Sequence, residues 1–149
     1  MVSPIYLIIL PLGAAFLISL ADRLGRGLSM LLFYAALAGS AILAGTWLYS
    51  AMLLGQEVTV FTAGFEPPLS IALQMGIYEA LFLFSGYITA LLASTVIFSR
   101  FRRESPLAMV LYLMVVLGAT GLILTRDLFN LFVFLEISSI ATYAMIALE

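Results

Sequence analysis

The 149-residue sequence contains no cysteine, no histidine and no lysine. Without thiols or imidazoles there is no disulfide framework, no thiolate set for an iron–sulfur cluster, no histidine-ligated haem and no ordinary zinc site, so no cofactor is expected. Charge is scarce too. Only 9% of residues are charged, against about 25% in soluble domains, and a net charge of −2 gives nucleic acid nothing to bind. So few reactive side chains argue against chemistry on this chain; any redox reaction would belong to partner subunits. What fills the sequence instead is apolar: 64% of residues, with mean hydropathy +1.22. That composition is expected of an all-α, multi-pass protein of the cell membrane, in contact with lipid.

A spanning helix needs about 20 mostly apolar residues. The charges and the Pro/Gly clusters divide the chain into five such runs, near 3–21, 28–54, 71–98, 106–124 and 127–148. The first lacks a basic leader, and its first positive charge, Arg23, follows the apolar run, so a retained helix is expected, kinked at Pro11. Ser105-Pro106 reads as the start of the fourth helix and Asp127 as the cap of the fifth. Only Thr125 and Arg126 separate those two runs, which predicts an antiparallel helical hairpin. Between the second and third runs, "GQEVTVFTAGFEPP" places β-prone Val58 to Phe61 before Gly64 and Pro67-Pro68, the pattern of a small hairpin on the membrane surface. Ala41-x-x-x-Gly45 and Gly86-x-x-x-Ala90 offer small residues for helix approach. Trp47 and Tyr49 are expected as interfacial anchors, and Phe129, Phe132 and Phe134 as lipid or packing surface.

Basic residues concentrate in short cytoplasmic loops. Arg23 and Arg26 lie between runs one and two, and Arg100, Arg102 and Arg103 between three and four, whereas the other side has Arg126. The N-terminus is therefore expected outside and the C-terminus in the cytoplasm, with Glu57 and Glu66 external.

One carboxylate breaks the fifth run. Glu136 is its tenth residue, about 15 Å along the helix and so near the bilayer midplane. An ionised residue such as Asp there costs roughly 2.5–3.5 kcal/mol on insertion scales, and intramembrane acids are accordingly functional by default. Ser139 and Tyr143 follow at helical spacing on the same face, with Ser138 and Thr142 on its flanks. A carboxyl group beside hydroxyls is a stepping stone for protons; the competing reading is a structural acid bonded to another helix. Glu79, two turns inside the third run, is the second acidic candidate, close enough to the interface for a structural role.

The run Asp127-Leu-Phe-Asn-Leu-Phe-Val-Phe-Leu-Glu136-Ile-Ser-Ser139 resembles the fifth transmembrane helix of antiporter-like subunits. These are shared by multisubunit sodium/proton antiporters, membrane-bound hydrogenases and respiratory complex I, the D-type antiporter and hydrogenase versions being nearest. The layout is similar along the whole chain. The resemblance implies that Glu136 takes the place of a glutamate that pairs with a lysine on a later, broken helix and moves protons along a polar axis. The family has an aspartate shortly after the Pro-Pro hairpin, where this chain aligns Gly76, with Glu79 one turn further on. Members have about fourteen helices, so a chain of five spans without lysine is expected to be the first part of a split subunit. A companion chain would supply the remaining helices and a mid-membrane lysine, and other membrane subunits would surround it. Protons, with sodium as a second candidate, would be the cargo. The alternatives are a non-conducting scaffold that joins membrane subunits and a small independent proton-coupled exporter.

Overall fold

The computed structural model describes residues 2–55, 57–61, 72–97 and 106–148. Among the described residues, five helices and one two-stranded sheet follow in the order α1 (Tyr6–Ala21), α2 (Arg26–Leu54), β1 (Val58–Phe61), β2 (Ala72–Met75), α3 (Ile77–Val96), α4 (Leu107–Leu124) and α5 (Leu128–Ile146). Helices α2 to α5 are long and apolar enough to cross a membrane. Helix α1 has 16 residues, about 24 Å. A turn at Pro4-Ile5 lengthens it, with the Leu7 amide donating to the Pro4 carbonyl at 3.0 Å. The chain is a multi-pass membrane protein.

Helix α4 is the hub, packing against α1, α3 and α5, while α2 packs against α1 and α3. The core of the α1–α4 bundle is built from Leu7, Ile18, Phe33, Leu37, Tyr87, Met109 and Leu113. Helix α5 is different. Among the described residues it buries only Asn130 and Ala141 along its length, because it packs chiefly against α4 and leaves much of its circumference open. Glycine makes that contact possible: a Cβ added at Gly118 would lie 2.7 Å from Ser138 Cβ and 2.9 Å from the Phe134 carbonyl oxygen. At Gly121 it would meet the Phe134 ring at 2.1 Å.

A hairpin does form between α2 and α3, but its second strand lies beyond the 55–68 stretch expected to hold it and corrects the reading of the third run. Residues 72–75, taken as the start of a helix near 71, pair antiparallel with β1 in the register Val58–Met75 to Phe61–Ala72. The helix starts only at Ile77, because extended Gly76 is its N-cap and the Gly76 amide donates to Glu79 Oε2 at 3.0 Å. Leu73 and Met75 point inward and are buried, closing that end of the bundle. Gly64, Glu66, Pro67-Pro68, the Arg100, Arg102 and Arg103 cluster and Ser105 lie outside the described residues; Pro106 caps α4.

Two further expectations are corrected. Trp47 is buried, on the core stripe of α2 that includes Ser40, Ala44 and Ala51, while Tyr49 on the opposite side is exposed. In a helix that is apolar all round, composition alone does not tell the core stripe from the lipid stripe. Of the small-residue spacings, Gly45 does sit against the Phe84 ring, where a Cβ would approach to 3.2 Å, but Gly86 faces open space.

Candidate functional site

Asp127 caps α5 as its sequence position predicts: the Phe129 amide donates to Asp127 Oδ1 at 3.0 Å and Asn130 Nδ2 to Oδ2 at 2.6 Å. The first bond satisfies a backbone donor that the first turn leaves free, and the second holds the buried Asn130 side chain. Arg126, just before the cap, reaches back to the hairpin. Its Nε donates to Gln74 Oε1 at 2.7 Å, its guanidinium pairs with the Glu79 carboxylate, and its backbone amide donates to the Ala72 carbonyl at 3.0 Å. Thr125 extends the tie by an antiparallel bridge to Leu73. The α4–α5 turn is thus laced onto β2 and the first turn of α3. Glu79 holds a cap and an ion pair at once.

Gln74 and Arg126 were not legible as partners, since 52 residues separate them and a surface glutamine carries no signal of its own. Arg126 is 41% exposed, and screened pairs of this kind are worth at most about 1 kcal/mol. Glu79→Gln, which keeps an acceptor for the Gly76 amide, should therefore lower the thermal midpoint of the assembled protein only slightly. Arg126→Ala, which removes the Gln74 bond as well, should lower it more.

On α5 four of the five predicted polar residues share one groove, with Tyr143 at its edge beside Glu136. Ser138, Ser139, Thr142 and Tyr143 line a groove of about 290 Å³ with Leu122 of α4 and Leu135. Ser138 packs on Gly118, and Thr142 Oγ1 donates to the Ser138 carbonyl at 2.8 Å. Glu136 is not part of the groove wall. At 100° per residue it lies across the helix from Ser138 and Ala141, between exposed Phe132, Ile140 and Tyr143. It is half-buried and has no hydrogen-bond or ion-pair partner among the described residues. A carboxyl group at mid-helix, turned from the bundle, is available to a group outside the described residues.

A second polar cluster, which sequence reasoning missed, is buried inside the bundle. Tyr87 Oη lies 2.8 Å from Thr120 Oγ1 and donates to the Leu7 carbonyl at 3.1 Å.

No family model matches the chain. A curated relative, NADH-quinone oxidoreductase subunit N of Desulforudis audaxviator (strain MP104C), is 34% identical over 152 residues, covering 97% of this chain and 30% of that protein. In the structure of the membrane-bound sulfane sulfur reductase, an archaeal respiratory membrane complex, one chain matches with a TM-score of 0.86 and 31% identity over 95% of this chain and 29% of that one. A chain of the Mrp complex from Dietzia sp. DQ12-45-1b matches with a TM-score of 0.77 and 25% identity over 95% and 26%. This chain spans about three-tenths of the relatives' length. Along nearly its whole length the chain is therefore similar to membrane subunits of these respiratory and Mrp complexes, in line with its resemblance to antiporter-like subunits.

Proposed function

We propose that the chain is part of the ion-translocating machinery of a multisubunit membrane complex, either a cation antiporter or a redox-driven pump, and that Glu136 is its proton-carrying group. One observation carries the reading: a carboxyl group midway along an apolar span, without a partner among the described residues, on the least covered helix. Holding such a group in the membrane costs energy, and selection for packing alone would remove it. The companion that completes it contributes a mid-membrane cation, in keeping with the resemblance to subunits that pair this glutamate with a lysine. It also covers the open side of α5, so that the chain forms the first part of a longer antiporter-like unit. Ser139 and Tyr143 extend the polar stripe toward the end of the helix, and Ser138 and Thr142 line the adjoining groove. Protons are the cargo, with sodium the exchanged cation in an antiporter.

The test is replacement of Glu136 by Gln with ion movement and assembly measured in the same membranes. Full assembly with wild-type translocation would leave the chain as a scaffold that joins neighbouring subunits.

The orientation that goes with this reading has the N-terminus and the hairpin outside and the Arg23–Arg26 turn in the cytoplasm. Because the native chain has no cysteine, a single cysteine at position 57 should react with a membrane-impermeant maleimide added to intact cells. One at position 23 should react only after the membrane is opened. The reverse pattern would invert the topology.

A further inference from the structure

Pro11 sits inside α1, buried against the bundle. A helical residue at that position would donate its amide hydrogen to the carbonyl four residues back, which is Leu7, but proline has none to give. In a membrane core no water makes up the loss, and an unsatisfied carbonyl there is costly. The donor that reaches Leu7 comes from another helix 80 residues away: Tyr87 Oη of α3, at 3.1 Å and buried.

Three contacts meet there: Tyr87 to Leu7 O, Tyr87 to Thr120 Oγ1, and Thr120 Oγ1 to Val116 O. The Val116 carbonyl lies inside α4, where the helical amide of Thr120 also serves it, whereas Pro11 offers the Leu7 carbonyl no such amide. Tyr87 donates to Leu7, and its contact with the Thr120 hydroxyl ties α4 to the same cluster. Ser40 Oγ of α2, buried and otherwise without a partner among the described residues, lies beside the Tyr87 hydroxyl and can donate to its oxygen.

We propose that Tyr87 is the positioning residue of α1: its hydroxyl stands in for the amide hydrogen that Pro11 lacks, and so fixes the first turns of α1 against α3 and α4. This assignment is independent of Glu136, and its test reads stability rather than transport.

The experiment is a double-mutant cycle on the full chain in its native assembly, extracted in mild detergent. Tyr87→Phe keeps the ring and loses the hydroxyl; it should lower the thermal midpoint by a few degrees. Pro11→Ala returns an amide hydrogen to Leu7. In that background Tyr87→Phe should lower the midpoint by less than half as much, because the carbonyl is already served. Equal losses in both backgrounds would overturn the proposal, since the hydroxyl would then matter only to Thr120 or to packing. If Pro11→Ala does not assemble, Thr120→Val decides. It leaves the Tyr87–Leu7 bond intact and should cost clearly less than Tyr87→Phe, whereas an equal or greater cost overturns the assignment.

Discussion

Glu136→Gln should bring ion translocation in sealed vesicles close to the background of vesicles lacking the complex, while the amount of assembled complex stays near wild type. Glutamine keeps the size of the side chain and most of its hydrogen-bonding capacity, so packing around α5 has no reason to fail. What it loses is the ability to take up and release a proton. In the proposed pair, a cation from the companion chain stands about 4 Å from the carboxylate, an attraction of about 4 kcal/mol at an effective dielectric of 20. That offsets much of the cost of holding an anion at mid-membrane. Each protonation event switches this attraction off or on, which is how charge movement at one group is felt by its neighbour. Glu136→Asp retracts the carboxyl by one methylene and should retain a fraction of the activity. Wild-type transport by the glutamine variant, measured with a pH-sensitive dye, would remove Glu136 from the proposed route.

Gly121→Leu should prevent α5 from seating on α4 and reduce the assembled complex to a small fraction of the wild-type level. The first side-chain carbon alone would sit 2.1 Å from the Phe134 ring, and no rotamer of the new residue avoids that contact. Overpacking in a rigid interface costs typically 1–3 kcal/mol, and more when the backbone must move. Here α5 packs on the bundle chiefly through this face, and the ties of Thr125 and Arg126 hold only its first turn. Gly118→Val should act similarly, because the Phe134 carbonyl oxygen at 2.9 Å belongs to the helix itself and cannot swing aside. Shortening the opposing side chain should relieve the first variant: Phe134→Ala combined with Gly121→Leu should recover assembled protein, read from blue-native gels. Failure of the pair to do better than Gly121→Leu alone would mean that the glycine serves something other than this contact.

The two variants mark the limits of what the linear sequence discloses. Glu136 was legible because a charge inside an apolar run is rare and expensive whatever its neighbours are. Asp127 was legible because capping is a local matter of two or three residues. Gly118 and Gly121 were not, since in a helix as uniformly apolar as α4 nothing in the sequence distinguishes a glycine against a phenylalanine ring from one facing lipid. Residues 72–75 were read as helix because Ala, Leu, Gln and Met carry little local preference; pairing with Val58 to Phe61 decides their conformation. Tyr87 resembled any other aromatic in a span until Leu7 and Thr120 stood beside it.

The hairpin has a consequence for where charge can travel. Leu73 and Met75, almost completely buried, stopper the bundle at the end nearest Arg126, and below them the interior of α1 to α4 is packed with Leu, Phe, Ile and Met. The hydroxyls buried there, Tyr87 and Thr120 among them, are bonded to one another and to backbone carbonyls and form no line of ionisable groups. On the proposed role of Glu136, an ion would not pass down the middle of the described helices; it would move along their flank, in the seam between α5 and whatever lies against it. Conduction by that route would be a property of a boundary between bodies, and neither side of the boundary would own the wire.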